Sequence, residues 1–595
     1  MGSRSFQKSW GAEYLASGEV RFRLWATGQR QVTLRLAGQD REMQPAGEGW
    51  FELLVADVSP GAEYNFVLSD GMVVPDPASR AQKSGVNGPS LVIDPTSYAW
   101  QNSSWRGRPW AETVVYEMHV GTFTPEGTFQ AAIQKLPYLA ELGITQIELL
   151  PLSHFGGNRG WGYDGVLLYA PHAAYGSPDD VKAFVDAAHG AGLSVVLDIV
   201  LNHFGPEGNY LPLLAPDFFH KERMTPWGAG IAYDVDAARR YILEAPLYWL
   251  KEFNLDGLRF DAIDQIEDIS AKHVLIDIAE HIRAEITDRP VHLTTEDSRN
   301  VIFLHPRAED GSVPLFTGEW NDDFHNAVHV FATGETQAYY QDFAREPEKL
   351  VARVLAEGFA YQGEISPHSG EKRGVVSTGQ PPEAFVDFIQ NHDQIGNRAQ
   401  GERLIDLAGV DRTKVMLATL LLSPHIPLLF MGEEYGETNP FLFFTDFHGD
   451  LAKAVREGRA REFAGHGDFE GESVPDPNAE QTFMMSKLDW SKQNTPQGAE
   501  WLAFSKKLLA LRQQHIVPLL ATGERATGEI VKTAEGFVAV SWRFPQGTLS
   551  MAFNIGEHEQ PIPLQPGKTL FAWPQEENRL PQNSILVRFT TGEVR

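Results

Sequence analysis

The chain has 595 residues, of which 42% are hydrophobic and 11% aromatic, enough apolar material for two or three folded domains. Its formal net charge of −29 disfavours binding to nucleic acid or to an anionic lipid surface. It contains no cysteine, which excludes disulfides and thiolate chemistry, and we find no signal peptide and no long apolar span. We therefore expect a cytoplasmic protein with neither a nucleic-acid partner nor a membrane partner.

The first part of the chain, residues 1–97, is typical of a small β-sandwich. Apolar and polar residues alternate in residues 20–25 and again in residues 32–36, and glycine and proline interrupt the pattern at short intervals. We interpret this region as an N-terminal domain of the carbohydrate-binding kind.

The middle part, residues 98–495, repeats a short apolar run, a polar or glycine-rich loop and a segment with helical periodicity. Eight runs that alternate with helices favour an α/β protein with a parallel (β/α)8 TIM barrel. The apolar runs are residues 114–120, 144–150, 193–200, 257–262, 291–295, 315–318, 384–389 and 426–430. We expect the last part, residues 496–595, to hold a linking helix followed by an all-β domain.

Polar residues follow several of these runs at the point where each predicted strand ends. Asp261 ends the fourth run, Glu296 follows the fifth and Asp393 follows the seventh. The active site of a (β/α)8 barrel forms at the carboxyl ends of its strands, so these three side chains should converge. Arg259 lies in the fourth run, His203 follows the third run and His392 follows the seventh.

Two carboxyl groups on adjacent strands suit the cleavage of a glycosidic bond. A retaining glycosidase needs one carboxylate at the anomeric carbon and one acid that protonates the leaving oxygen, roughly 5–5.5 Å apart. Arg259 lies two residues before Asp261, on the same side of its strand, and would hold Asp261 ionised. Glu296 would need a raised pKa to reach the substrate protonated.

These segments resemble the signature regions of the α-amylase superfamily, glycoside hydrolase family 13. The resemblance implies that Asp261 is the nucleophile, Glu296 the acid/base and Asp393 a stabiliser of the transition state. It further implies that a set of side chains binds the sugar at subsite −1, the sugar whose bond is cut. These side chains are Tyr163, His203, Arg259 and His392.

Longer strings at residues 115–128, 203–210, 321–325 and 389–398 are similar to one family of this superfamily, the maltooligosyltrehalose trehalohydrolases. The resemblance implies hydrolysis of the α-1,4 bond next to the terminal trehalose of maltooligosyl trehalose, a substrate made by a maltooligosyltrehalose synthase. It also implies residues that bind the trehalose side, the plus subsites. These are Asp264, Trp227, Asp323, Phe324 and His325.

We expect no cofactor and no required metal. The segment between His203 and the fourth run is too short for the calcium-bearing excursion of many amylases, and the several oxygen ligands that calcium needs cannot be assembled from it.

Two alternative interpretations remain open. A glucan branching enzyme, or another amylase-type hydrolase or transferase, would share the β-domain and the three carboxylates. A non-catalytic sugar-binding protein on the same barrel would be expected to lack at least one of Asp261, Glu296 and Asp393 and to carry a membrane span; this sequence has all three and no such span. The sequence leaves the oligomeric state open.

Overall fold

Two antiparallel β-sheets form the N-terminal part of the chain in the computed structural model, which describes residues 4–463, 474–522, 526–574 and 579–592. One sheet has the strand order β1-β2-β6-β5, and the other has the order β4-β3-β7-β8 with β9 paired to β7. The strands are β1 (Gly11–Tyr14), β2 (Val20–Trp25), β3 (Thr33–Leu36), β4 (Gln39–Glu42), β5 (Gln44–Pro45), β6 (Trp50–Val55), β7 (Glu63–Val67), β8 (Val73–Val74) and β9 (Ser90–Leu91).

The middle of the chain contains the barrel strands and three short hairpins. Its strands are β10 (Val115–Met118), β11 (Gln146–Leu149), β12 (Ser153–His154), β13 (Leu167–Pro171), β14 (Ser194–Ile199), β15 (Phe219–Thr225), β16 (Gly228–Ile231), β17 (Gly257–Phe260), β18 (His292–Thr295), β19 (Gly318–Trp320), β20 (Glu364–Ile365), β21 (Lys372–Arg373), β22 (Phe385–Asp387) and β23 (Ile426–Phe430).

Eight of these strands close into a parallel barrel in the order β10-β11-β14-β17-β18-β19-β22-β23, with β23 paired to β10. The predicted (β/α)8 barrel is thereby confirmed, and each predicted apolar run overlaps one barrel strand. The sixth strand begins at Gly318, later than the run at 315–318 suggested. Phe316 lies before the strand instead, where its ring packs against Phe260 at 5.2 Å.

Helices lie between and after the barrel strands. One of them, α4 (Pro178–Gly190), starts with a capping box in which Ser177 and Asp180 exchange hydrogen bonds. The helices are α1 (Val120–Phe123), α2 (Phe129–Ile133), α3 (Leu136–Leu142), α4 (Pro178–Gly190), α5 (Leu211–Leu214), α6 (Asp236–Glu252), α7 (Val274–Glu285), α8 (Asp322–Thr333), α9 (Pro347–Glu357), α10 (His392–Gly396), α11 (Leu404–Ala408), α12 (Val410–Leu422), α13 (Gly449–Phe463), α14 (Glu480–Met485), α15 (Pro496–Leu511) and α16 (Val517–Leu520).

The C-terminal part is a second β-rich region that follows α15 and α16. A five-stranded sheet has the order β24-β25-β26-β30-β28, and β27 pairs with β29 beside it. The strands are β24 (Thr527–Ala534), β25 (Phe537–Phe544), β26 (Gly547–Asn554), β27 (Gln560–Pro561), β28 (Lys568–Trp573), β29 (Arg579–Leu580) and β30 (Ser584–Thr591). The boundaries proposed at 97/98 and 495/496 stay a prediction.

A cluster of aromatic side chains joins the N-terminal sheets to the barrel region. The ring of Trp10 packs edge-on against Trp50 at 5.2 Å and against Tyr241 of α6 at 5.2 Å. Its indole N–H donates to the carbonyl of Ala237, so the buried ring keeps a hydrogen bond. Of the helices in the described ranges, none has the length and apolar character that a membrane crossing requires.

Candidate active site

A buried arginine joins three carboxylates at the carboxyl ends of neighbouring barrel strands. Arg259 on β17 contacts Asp198 of β14 at 2.6 Å and Asp261 at 2.9 Å, and its other terminal nitrogen lies 2.7 Å from Glu296. The Arg259 side chain is 1% exposed, whereas Asp261 and Glu296 retain 13% and 18% exposure. A ligand entering this end of the barrel could therefore reach both acids, while the guanidinium stays beneath them.

The backbone after β17 also connects the two acids. Ala262 adopts a left-handed conformation, with φ +41°, a region that costs about 1–2 kcal/mol for a residue with a Cβ. In this conformation its N–H donates to Glu296 Oε2 at 2.9 Å, and the next N–H, of Ile263, donates to the Glu296 carbonyl at 3.0 Å. The residue after Asp261 thus fixes the position of Glu296.

The two acids differ in their affinity for a proton. Burial raises the pKa of Asp261 to about 6; the Arg259 charge opposes that rise, and the negative charges of Asp198 and Asp393 add to it. Burial also raises the pKa of Glu296, to about 8. The Arg259 charge again opposes the rise, and the negative charges of Asp261 and Asp393 add to it. At neutral pH the site therefore favours an ionised Asp261 beside a protonated Glu296.

The segment after β22 brings in Asp393 and His392. The Asn391 side chain caps α10 by accepting the N–H groups of Asp393 and Gln394, each at 3.0 Å. The imidazole of His392 is hydrogen-bonded to the buried carboxylate of Glu117 on β10. Burial disfavours its charged form, but the attraction of Glu117 is stronger and raises the pKa of His392 to about 9.

Aromatic rings form one wall of the site. Tyr163 stacks on His392 with ring centroids 5.1 Å apart, and its hydroxyl donates to Asp198 at 2.6 Å. The tight turn before it needs a glycine, because Gly162 has φ +106° and a Cβ there would lie 2.1 Å from the Pro151 carbonyl oxygen.

His203 lies beside Tyr163, and its Nε2 is 3.0 Å from the carbonyl oxygen of that residue. Burial lowers the pKa of His203 to about 4, so this imidazole is neutral at pH 7. Trp227 lies in the loop between β15 and β16, and its indole is half-exposed. The indole stacks on the His203 ring with the ring centroids 4.1 Å apart and an interplanar angle of 9°. Trp227 thus lies at the rim of the site.

Among the residues expected on the trehalose side, Asp264 also lies at the rim. It is part of a short 3-10 helix just after Asp261, and its carboxylate accepts from the hydroxyl of Ser298 at 3.0 Å.

Three other residues expected there are buried and occupied by contacts within the protein. Asp323 accepts the backbone N–H groups of Ala360 and Tyr361 and contacts Arg373 at 2.6 Å. Phe324 is fully buried in the core. The two ring nitrogens of His325 lie 2.9 Å from the Ile389 carbonyl oxygen and 3.0 Å from the Tyr340 hydroxyl. These contacts favour a structural role for all three.

The neighbouring Asp322 was not selected from the sequence, yet it lies near enough to the acid cluster for its charge to interact with Glu296 and Asp393. It is half-buried at the first position of α8. Burial raises its pKa to about 8, and the negative charges of Glu296 and Asp393 contribute to the rise. The sequence of residues 321–323, Asn-Asp-Asp, indicates this segment. It does not show which of the two aspartates lies near the acid cluster and which is buried in the protein. Asp198 and Glu117 were missed because both lie within strands rather than after them.

The structure also bears on metal binding. Within the described ranges, no group of three or more histidines, cysteines or carboxylates is arranged to hold a metal ion. The side-chain amide of Asn202 donates to the backbone carbonyl of Asp261 at 3.1 Å. That no metal is required stays a prediction.

Comparisons with known proteins agree with this geometry. The family model for the alpha amylase catalytic domain matches residues 75–212. The malto-oligosyltrehalose trehalohydrolase of Deinococcus radiodurans is 42% identical over 91% of this chain and 90% of its own length. A crystal structure of an amylase-type protein from Salmonella typhimurium is 74% identical, with a TM-score of 0.97 over 98% of this chain and 100% of that chain.

The closed barrel, with its paired acids at the strand ends, and the family match define a glycoside hydrolase of the alpha-amylase type. Within that class the chain belongs to the malto-oligosyltrehalose trehalohydrolase family. A glucan branching enzyme of Nocardia farcinica is more distant, at 27% identity over 81% of this chain and 65% of its own length.

Proposed function

We propose that this chain hydrolyses the α-1,4-glucosidic bond next to the terminal trehalose of maltooligosyl trehalose and releases free trehalose. The observation that carries the chemistry is the single guanidinium of Arg259, which contacts both Asp261 and Glu296. The trehalose specificity is supported by the similarity to trehalohydrolases over nearly the whole chain.

In the proposed reaction Glu296 gives its proton to the glycosidic oxygen while Asp261 attacks the anomeric carbon. The bond to trehalose breaks, trehalose leaves with that proton, and the remaining maltooligosaccharide is held as a covalent ester of Asp261. Glu296, now ionised, takes a proton from water, whose oxygen attacks the same carbon and frees Asp261. Two displacements retain the α configuration.

The remaining residues bind the sugar on either side of the bond. We propose that Asp393 stabilises the positive charge that develops on the anomeric carbon, since it lies near enough to raise the pKa of both acids. The subsite −1 contacts come from the side chains named for it earlier, namely Tyr163, His203, Arg259 and His392. For the trehalose side we propose Trp227, Asp264 and Asp322; Asp322 replaces the buried residues 323–325.

We further propose that the reaction takes place in the cytoplasm and that a maltooligosyltrehalose synthase supplies the substrate. Cytoplasmic location is supported by the complete lack of cysteine, and the synthase is implied by the unusual terminal linkage of the substrate.

Product analysis on two matched substrates tests the specificity. Maltotriosyl trehalose should yield trehalose and maltotriose, whereas maltopentaose, which has the same number of glucose units, should be cut poorly. The measurement is chromatography of the products over time. Equal rates on the two substrates would refute the trehalose specificity. New α-1,6 linkages in amylose, without new reducing ends, would instead favour a branching enzyme.

The pH dependence of kcat/KM tests the proton assignment. Asp261 must be ionised, so activity should rise as pH increases through about 6, and Glu296 must be protonated, so activity should fall as pH increases through about 8. The two limbs describe the coupled pair as a whole. Thermal unfolding measured over the same pH range separates titration from loss of structure. A profile that stays flat from pH 5 to pH 10 would contradict the assignment.

A further inference from the structure

The interior of the barrel is divided into an apolar half and a polar half. On the side of β22 and β23, inward-facing apolar side chains pack together below the site. They are Val115, Trp320, Val386, Phe388, Ile426 and Leu428. On the side of β11, β14 and β18, the buried side chains Gln146, Glu148, Ser194 and Thr294 are polar, and none is more than 3% exposed.

Strand register brings the polar side chains together. Gln146 is paired with Ser194 across β11 and β14, and Glu148 is paired with Glu117 across β10 and β11. Residues two apart on a strand point to the same side, so Gln146 and Glu148 both face the barrel axis. Their neighbours Ile147 and Leu149 belong instead to the main hydrophobic core.

Many polar atoms of this half are buried without a hydrogen-bond partner among the described residues. They are both amide atoms of Gln146, Oε1 of Glu148, Oγ of Ser194, Oδ1 of Asp198, Nε of Arg259 and Oγ1 of Thr294. Leaving such atoms unsatisfied destabilises a protein, and buried polar atoms are normally paired with protein or ordered water. Donors and acceptors are both present, as a water chain requires.

We propose that ordered water molecules fill the polar half of the barrel interior and connect Glu148 to Asp198, which makes Glu148 a positioning residue for Arg259. Asp198 contacts Arg259 through Oδ2, and its unpaired Oδ1 is the atom that the water chain would reach. This inference rests on the proposed function, because Arg259 matters to catalysis only if Asp261 and Glu296 are the reacting acids.

The surroundings of Glu148 favour its protonated form. Burial raises its pKa far above the usual range, and the charges of Glu117 and Asp198 raise it further; Arg259 and His392 act in the opposite direction but are outweighed. A protonated carboxyl can donate one hydrogen bond to the water chain and accept another. A neutral Glu148 also does not compete with Glu117 for the positive charge of His392.

Two variants at this position test the role. Glu148→Gln keeps a neutral group that donates and accepts, so we expect kcat within about threefold of the wild type and an unchanged pH profile. Glu148→Leu breaks the water chain, so we expect kcat to fall by about tenfold or more while KM changes by less than about twofold. The acidic limb of the pH profile should also move to higher pH. Without the water chain Arg259 is positioned less firmly, so it stabilises the ionised form of Asp261 to a smaller extent.

A change in the apolar half serves as the control for general disturbance of the barrel. Leu428→Met should leave kcat and the pH profile near those of the wild type. If Glu148→Leu does not fold, Thr294→Val is the alternative, because it removes one hydroxyl that binds the water chain at nearly constant side-chain volume. It should move the acidic limb of the pH profile in the same direction, to a smaller extent.

A high-resolution crystal structure of the wild type gives the direct test, and ordered water within about 3.2 Å of Glu148, Asp198 and Thr294 is the expected result. Direct contacts between these side chains in place of water would overturn the proposal. So would a Glu148→Gln variant as impaired as Glu148→Leu, or a Glu148→Leu variant equal to the wild type. Wild-type protein without trehalose release would refute the proposed function but not the water chain seen by crystallography.

Discussion

Asp261→Asn is expected to lower kcat for maltotriosyl trehalose by about four to six orders of magnitude. The amide cannot form the covalent ester with the anomeric carbon, so both displacements are lost. Folding should persist, because Arg259 keeps Asp198 and Glu296 as partners and the Asn202 amide can donate to the new carbonyl oxygen. We expect the thermal midpoint to change by less than about 3 °C.

Asp256→Asn is a matched control for that variant. Asp256 is a buried aspartate directly before β17, at the opposite end of the strand from Asp261, and its carboxylate contacts His189 and Trp105. Its replacement should lower the thermal midpoint but leave the kcat of the folded enzyme nearly unchanged. If Asp261→Asn kept more than about one hundredth of the wild-type activity, Asp261 would not be the nucleophile.

Glu296→Gln is expected to lower kcat for maltotriosyl trehalose by about two to four orders of magnitude, the usual contribution of a general acid. The effect should depend on the leaving group. Fluoride needs no protonation, so maltotriosyl fluoride should still form the covalent intermediate with Asp261. The second step lacks its base, and added azide, which needs none, should restore turnover and give the α-glycosyl azide.

Asp297→Asn provides the comparison for the acid/base residue. Asp297 directly follows Glu296 but is buried and pairs with Arg299 at 2.6 Å, so its loss should not make turnover depend on the leaving group or respond to azide. A β-glycosyl azide from Glu296→Gln would indicate a single displacement and contradict retention. An absence of azide rescue together with equal losses on fluoride and trehalose substrates would show that Glu296 is not the acid.

The barrel was predictable because its strands are buried on both faces. Parallel strands covered by helices are rich in apolar residues, and the eight runs were recognised by that composition although several of them include polar residues. The acids Asp261, Glu296 and Asp393 were found because they follow such runs. The physical rule used was the location of barrel active sites at the carboxyl ends of strands.

Other parts of the site depend on side-chain direction, which the sequence does not state. Asp322 and Asp323 are adjacent, and at successive positions of a helix their side chains point about 100° apart. Only the structure shows that Asp323 turns into the protein and accepts the N–H groups of Ala360 and Tyr361, while Asp322 interacts electrostatically with the acids. Glu117 and Asp198 were hidden in strands, where an inward acid is recognised only from its neighbours across the barrel.

The strained backbone at Ala262 has a consequence for attempts to alter this enzyme. Since its N–H donates to Glu296 while its chain neighbour is Asp261, one peptide unit links the positions of the two acids. A substitution that moves one of the two acids is therefore expected to move the other as well. Libraries that widen the pocket for new acceptors should therefore draw their tolerated changes from the hairpin that carries Trp227, and positions 261–263 should stay nearly invariant among active clones.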